Sequence, residues 1–477
     1  MNKIRSFAVH SCLYKGFVVL LFIQFGAVFA SANNPIVSDA SGLNPIKVAV
    51  IIQPTSSNEI ILAIKNSNGK ISIGGAKYSM GGQIAYQNSV HLDMRQFNKI
   101  INFDKNAQTI TVQSGITWRD IQSYIDPYGL SISVMQSYAN FTLGGSLSVN
   151  AHGRYIGAGA LIESVIFFKI VLANGKEIIA SRQQNSEVFY GAIGGYGGLG
   201  VITEIGLKLV KNVKVARKTV LMKVTDYAQY FARNINNNAE IVFQNGDLYA
   251  PNYDEIRSIV WHKTDKELSI KDKLIDKNAN YFFTKKMTEF VANYTIGKYF
   301  RKNIIDPIRY FFTSIVWRNY EASYDVNELP SNQENTLYAL REYFIPVENF
   351  AIFVASMKEI FTHNKVNVIN VSVRHAKPAP KSLLSWANNE VFALVVYYQQ
   401  KTDNKSIAQV KKWSLEMLDA TLKLDGSYYL PYQIFASNAQ FNAAYPNANQ
   451  FFALKQTLDP NNRFSNQLWR KYYPKRK

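Results

Sequence analysis

Apolar and polar positions alternate with a period of two through much of the first half of the chain. LAIKNSNGKISIGG, VHLDM, ITVQSG, FFKIVLANGKEIIA and GVITEIGLKLV all read as extended segments, because side chains two apart share one face of a strand. The Asn174-Gly175 pair between two such runs predicts a two-residue hairpin turn. Thr117 to Tyr128 reads instead as a helix, with Thr117 as its N-cap and Asp120 where a capping-box acid belongs. From Ile46 to Val210 the pattern is one of short strands, tight turns and occasional helices, which implies a compact α+β domain. Around Asn212 to Lys218 the glycines give way to longer helical and strand segments, and a boundary falls there. The last stretch, from Asp425, opens with GSYYLPY and closes with the turn-and-aromatic sequence LDPNNRFSNQLW, which suits a return to the first domain.

The glycine-rich stretch IGGAKYSMGGQ, Ile73 to Gln83, falls between two extended segments. Gly74, Gly75, Gly81 and Gly82 permit close backbone approach, so successive amides can converge on phosphate oxygens, with Ser79 and Lys77 adding a hydroxyl and a cation. A cradle of this kind suits a pyrophosphate and makes a flavin the first cofactor to consider, although a ligand-free hairpin loop would share the pattern. Gly195 to Gly200 fits GxGxxG literally, yet its context is wrong for a Rossmann fingerprint: VITEIGLKLV behind it is strand-like, and no acid follows at the required distance.

Composition narrows the chemistry. Lys3, Arg5 and Lys15 precede the apolar run from Phe17 to Ala30, and Ala30-Ser31-Ala32 resembles a signal-peptidase site, so residues 1–32 read as an export signal and the mature protein as periplasmic or secreted. Cys12, the one cysteine, lies inside it, which leaves no thiol for disulfides, nucleophilic catalysis or a cysteinyl-flavin bond. His91, His152, His262, His363 and His375 show no metal-ligand spacing, and no metal is expected. The formal charge of +19 calls for an anionic neighbour; nucleic-acid motifs are absent, which favours anionic lipid or an anionic substrate, against a background of generally basic composition. Residues 271–318 carry ten basic against four acidic residues, interleaved with aromatics from Phe282 to Phe312. That mixture suits an anionic membrane surface, and equally an ordinary helical segment with a solvated basic face.

Taken together, IGGAKYSMGGQ, SGITWRDI, FTLGGSLSVNAHG and AIGGYGGLGVITEIGLKL resemble, in order and spacing, the FAD-binding domain of the vanillyl-alcohol oxidase/p-cresol methylhydroxylase (PCMH-type) flavoproteins, and LDPNNRFSNQLW resembles their closing motif. Among subfamilies the chain looks most like the alditol and aldonolactone oxidases and the decaprenylphosphoryl-ribose oxidases. The resemblance implies an α+β fold: a two-subdomain FAD-binding domain over 33–212, a substrate or cap domain over 213–424 with an antiparallel sheet flanked by helices, and a C-terminal segment, 425–477, returning to the FAD domain. It implies an FAD-dependent oxidoreductase that takes hydride from a CH–OH group of a sugar, polyol or lactone, with dioxygen or a quinone as electron acceptor. A membrane-surface oxidase of a lipid-linked sugar or other lipid alcohol, and a non-catalytic flavin-binding protein, are the alternatives.

By the same resemblance Gly74, Gly75, Ala76, Lys77, Tyr78 and Ser79 would cradle the pyrophosphate, with Gln83 and Gly115 beside the cofactor. Thr142, Gly144, Gly145, Ser148, Asn150, His152 and Gly153 would run past the ribityl chain and flavin, and Gly200, Val201 and Ile202 would meet the adenine end. Tyr78 occupies the position of the histidine that many members link to the flavin, so noncovalent FAD is expected. Arg374 matches the arginine of the substrate face and is expected to stabilise charge, with His152 and Tyr432 as candidates for proton handling and Tyr398 and Gln433 as further pocket candidates. Some members carry an acid two residues before that arginine; here the residue is Ser372.

Overall fold

The computed structural model describes residues 34–379 and 381–474; the expected export signal, with Cys12, lies outside the described residues. A hairpin of β1 (Ile36–Val37) and β2 (Ile46–Lys47) leads into a parallel sheet of β3 (Val50–Ile52), β4 (Ile71–Gly74) and β5 (Val90–Asp93), ordered β3-β5-β4. Helix α1 (Ser57–Asn66) connects β3 to β4, capped by the Ser56 hydroxyl, which accepts from the Glu59 amide. This corrects the extended reading of Leu62 to Asn66. Ile60 and Ile64, one turn apart, are fully buried with Leu92 and Phe464, while Leu62 points outward, so the helical period wins over the short alternation.

Strands β6 (Ile100–Asp104), β7 (Thr109–Gln113), β8 (Leu130–Ile132), β9 (Val165–Val171), β10 (Glu177–Ser181) and β11 (Val201–Lys211) form an antiparallel sheet in the order β10-β9-β11-β7-β6, with β8 on the far end of β11. A hairpin is present, but its turn has three residues, 173–175, rather than the expected two: Val171 pairs with Glu177, the Leu172 amide donates to the Lys176 carbonyl at 2.9 Å, and Gly175 alone takes a positive φ, 79°. The expected helix is α2 (Trp118–Ile125). Thr117 caps it, accepting from the Asp120 amide at 3.1 Å and donating to the Asp120 carboxylate at 2.6 Å. Helices α3 (Leu143–Ser148) and α4 (Ser186–Ala192) complete this part, and the literal GxGxxG runs from α4 into β11 rather than from a strand into a helix.

Eight strands build the second sheet: β12 (Lys214–Lys223), β13 (Ile241–Leu248), β14 (Glu255–Lys263), β15 (Ile315–Trp317), β16 (Thr336–Pro346), β17 (Val368–Ala376), β18 (Val391–Lys401) and β19 (Ser427–Tyr428). All neighbours are antiparallel, in the order β15-β12-β14-β13-β17-β18-β16-β19. The sheet is flanked by α5 (Val224–Asn234), α6 (Phe282–Asn293), α7 (Thr295–Phe300), α8 (Asp306–Phe311), α9 (Arg318–Glu321), α10 (Phe350–His363) and α11 (Asn404–Leu422). Period-two alternation divides its faces. Leu337, Ala339, Tyr343, Val371, Val373, Leu394, Val396 and Tyr398 pack with α5, α10 and α11, and the intervening residues face the other way.

The chain ends in α12 (Asn438–Ala444), α13 (Ala448–Leu458) and α14 (Gln467–Tyr472). One buried cation joins this segment to the glycine loop before β11. Lys455 Nζ donates to the Gly198 carbonyl at 2.7 Å, to the Phe464 carbonyl at 2.8 Å and to Asp459 at 2.9 Å, and both charged side chains are fully buried. Asp459 also accepts from the amides of Arg463 and Phe464. A Lys455→Met substitution strands that carboxylate in the core and is expected to cost about 3–5 kcal/mol. Urea unfolding checks this; an unchanged midpoint would remove the pair from the list of structural constraints.

Candidate active site

Four segments that are remote in sequence, together with the loop 326–332, enclose a cavity of about 490 Å³. The first is the loop after β4, contributing Gly74, Gly75, Ala76, Lys77, Tyr78, Ser79 and, further on, Gln83. None of the main-chain amides from Gly75 to Ser79 donates to a protein acceptor among the described residues. Lys77 takes φ 64°, and its ammonium lies 3.2 Å from Asp93. Burial pushes the Asp93 carboxyl up, but Arg95 and Lys77 outweigh that and hold it at about 2, so the pair stays charged. A run of free amides beside a fixed cation is what a pyrophosphate requires, so these residues fit the dinucleotide part of FAD. Gly75 has a steric reason as well: a Cβ there would meet Thr142 Oγ1 at 2.2 Å.

The second wall runs from Thr142 to His152. Thr142 caps α3 through the Gly145 amide, and Gly144, Gly145, Ser148 and His152 line the cavity. Asn150 does not line it. It takes φ 48°, accepts from the Ile162 amide through its side chain and from Trp386 Nε1 through its carbonyl, and so turns the chain toward His152. The third wall is the loop from Tyr196 to Gly200 with Ile202, tied from behind by Lys455 and by Asn466, which donates to the Tyr196 carbonyl at 2.8 Å.

The fourth wall is the free face of the eight-stranded sheet: Tyr338, Leu340, Glu342, Arg374, Val395 and Tyr397, closed by Tyr429 and Tyr432. As alternation requires, Arg374 faces the cavity and His375 faces away, against Glu390 at 2.7 Å and the Phe231 ring. The same parity corrects the expectation for Tyr398, which packs on Trp413 on the opposite face. Gln433 is also displaced, its side chain donating to the Met80 carbonyl outside the cavity.

Glu342, which sequence reasoning missed, is the centre of the site. Its Oε1 lies 2.6 Å from His152 Nε2, and its Oε2 accepts from the Tyr432 hydroxyl at 3.2 Å. His152 is held in an aromatic box of Trp386, Tyr429 and Phe344. Burial pushes the Glu342 carboxyl up, but His152, Arg374 and Tyr432 outweigh it and bring it below its ordinary value, so it is a carboxylate. Burial and that carboxylate raise the Tyr432 phenol well above its ordinary value, so it donates and does not ionise. Arg374 has no carboxylate within ion-pair distance among the described residues, and its buried Nε has no partner. Arg374 itself is half-buried, and a guanidinium with a buried, unpartnered Nε is suited to a ligand or a developing negative charge that completes it.

Three further expected contacts fall behind the cavity. Gly115 packs on the Met94–Phe97 turn, Gly153 lies against the Met135 carbonyl, and Val201 is buried in the core around Phe464. Their glycines or small side chains allow close packing of the segments that carry lining residues. No signal in one sequence separates such glycines from ligand-facing ones.

The open amides, the lone cation and the buried carboxylate around one cavity define a flavin-dependent oxidoreductase acting on CH–OH donors. A family model described as an FAD binding domain matches residues 48–181, and one described as D-arabinono-1,4-lactone oxidase matches residues 212–472, more than half of the chain. The chain belongs to the D-arabinono-1,4-lactone oxidase family. It is 22% identical to mouse L-gulonolactone oxidase over 439 residues, covering 88% of this chain and 94% of that protein. It is 27% identical to the mitochondrial L-galactono-1,4-lactone dehydrogenase of Arabidopsis thaliana over 223 residues, 46% of this chain and 36% of that protein.

Gly115 provides a check on the division between lining and supporting residues. A Cβ there would meet the Met94 carbonyl at 1.8 Å, a backbone atom that cannot rotate away. Gly115→Ala is expected to destabilise the fold by about 1–3 kcal/mol while each folded molecule still takes up FAD. Thermal unfolding and the flavin-to-protein absorbance ratio measure the two separately; full stability with lost FAD would return Gly115 to the ligand.

Proposed function

We propose that the protein oxidises a ring or chain carbinol of a small aldono-1,4-lactone, and that the loop from Gly74 to Ser79 and the segment from Thr142 to His152 would hold noncovalent FAD. FAD held there would supply a two-electron hydride acceptor for oxidation of the CH–OH carbon to a carbonyl, with dioxygen or a quinone as the final acceptor. Arg374 binds the substrate oxygen and stabilises the charge that builds as its proton leaves. Glu342 accepts that proton, and His152 and the Tyr432 hydroxyl hold the carboxylate in place. The observation that carries this reading is the convergence of Arg374 and Glu342 on the same cavity as the open amides of the loop. The names of the relatives support a lactone as the donor.

Anaerobic titration with aldono-1,4-lactones is expected to bleach the flavin of the purified protein. Glu342→Gln is expected to keep its flavin and lose about 10²–10⁴ in kcat. Retained flavin with no bleaching by any lactone, sugar or polyol would leave a flavin-binding protein without this activity.

The pH profile follows from the sign of the shift. Glu342 works as a base in its ionised form, and its environment lowers its pKa from the ordinary 4.5. The acid limb of kcat/KM is therefore expected below pH 4.5, and a limb between pH 6 and 7, roughly where histidine titrates, would transfer the proton-accepting role to His152.

Tyr78 stacks on Phe141 with ring centroids 4.3 Å apart, and burial raises its phenol pKa, so it is a packed aromatic wall. This supports noncovalent attachment. Acid precipitation is expected to leave the flavin absorbance in the supernatant; yellow colour in the pellet would contradict it.

A further inference from the structure

We propose that the helical segment α6–α8, between β14 and β15, is a docking surface for the headgroup region of an anionic lipid bilayer. Its polarity is reversed. From Thr295 to Phe311 the chain winds as one helical run, α7, a π turn at Arg301–Ile305 and α8. Ile296, Phe300, Ile304, Ile308 and Phe312 recur every four residues along it, with Tyr299 and Phe311 alongside, and all of them are exposed. Ile308 is 67% exposed, Phe312 75% and Phe311 79%. The charged groups point inward instead: Arg301 lies 3.4 Å from Asp247 and 3.6 Å from Asp306, and Lys298 donates to Asn367 at 3.0 Å. A helix packed on a protein and facing water shows the opposite arrangement.

The stripe is part of a larger patch. Nineteen large hydrophobic residues are exposed among the described residues, and ten of them lie between Phe282 and Phe312. Scattered single exposures need no explanation, but a concentration of this kind marks a contact surface. The same segment, residues 281–312, carries six basic and two acidic side chains.

Charge decides the occupant. A second copy of this chain, itself at +19, would bring the same lysines against these and be repelled. An anionic bilayer supplies phosphates for Lys285 and for Lys286, whose ion pair within the described residues is with Glu289 of its own helix, and an interfacial zone in which Phe and Tyr rings are stable. No described helix is long and apolar enough to cross a membrane, and the stripe suits a helix lying in the interface plane. The surface is also coupled to the cavity: Val291 and Ala292 of α6 pack on Tyr338 and Tyr397, which line it. Docking through α6–α8 thus brings the oxidation site beside the bilayer.

The apolar run from Phe17 to Ala30 could give the full chain a second hold on lipid, so the deciding signal has to be local. Phe311→Trp adds an indole in the stripe at an exposed position to the six tryptophans already present, and the difference from the parent protein under the same conditions isolates it. Its emission is expected to shift to the blue with vesicles of phosphatidylcholine and phosphatidylglycerol, to shift little with phosphatidylcholine alone, and to revert with salt. Replacing Lys285 and Lys286 by Gln in the same background is expected to weaken that response about tenfold. Emission that ignores vesicles, or shifts with protein concentration in their absence, would overturn the proposal, the second result in favour of self-association. Flavin content and lactone turnover in solution serve as the folding control, because none of these residues touches the cavity.

Discussion

The positions of two cavity walls, the loop from Tyr196 to Gly200 and the loop after β4, depend on one ammonium group. Lys455 has no water to solvate it and instead ties three backbone or carboxylate oxygens from two chain segments. One of these, the Gly198 carbonyl, belongs to the loop that lines the cavity; another, that of Phe464, belongs to the closing motif, which also bridges to Ile71 at the start of β4. Arg463 extends the tie by donating to the carbonyls of Ala173, Ile64 and Ser67, so α1, the β9–β10 turn and β4 are all referred to the same C-terminal knot. An isolated buried cation would be prohibitive, and this one is stable because each of its donors is satisfied and its counter-ion is itself held by two amides.

The eight-stranded sheet solves a different problem, that of giving one set of strands two incompatible environments. On β16, Leu337, Ala339 and Tyr343 belong to a dry core with α10 and α11, while Tyr338, Leu340 and Glu342 line a cavity. Strict alternation makes this possible without mixing the two. It also limits variation, because a one-residue slip in register would put Glu342 under the helices and a tyrosine in its place.

Local physics was legible in the sequence, and long-range convergence was not. The Thr117 cap and the hairpin at Asn174-Gly175 depend on neighbours within a few residues, and both were legible, although the turn has three residues rather than two. The mistake over Leu62 to Asn66 came from a segment too short for alternation to be told from the exposed side of an amphipathic helix. Arg374 was legible because its motif is carried on one strand. Glu342 sits 190 residues from His152, in a run whose apolar neighbours advertise only a strand, and nothing in the primary sequence couples the two. For the supporting residues Gly115 and Gly153 the sequence showed only a glycine, and it is the fold that brings a backbone carbonyl where a Cβ would sit.

The register of the second sheet accounts for the missing acid. Glu342 pairs with Val395, and Val395 pairs with Ser372, so the three form one row across β16, β18 and β17. Directly opposed residues in an antiparallel sheet share a face, and Arg374 shares it too, two positions along from Ser372. The carboxylate expected beside the arginine on its own strand is therefore present on the same face, displaced by two strands, roughly 9–10 Å. At the Ser372 position a carboxylate would neutralise Arg374 directly. At 342 it is engaged by His152 and Tyr432, and the guanidinium stays free to meet an oxygen from the substrate. Separating cation and base in this way leaves each free for its own part in the reaction, the guanidinium at the substrate oxygen and the carboxylate at the proton which that oxygen gives up.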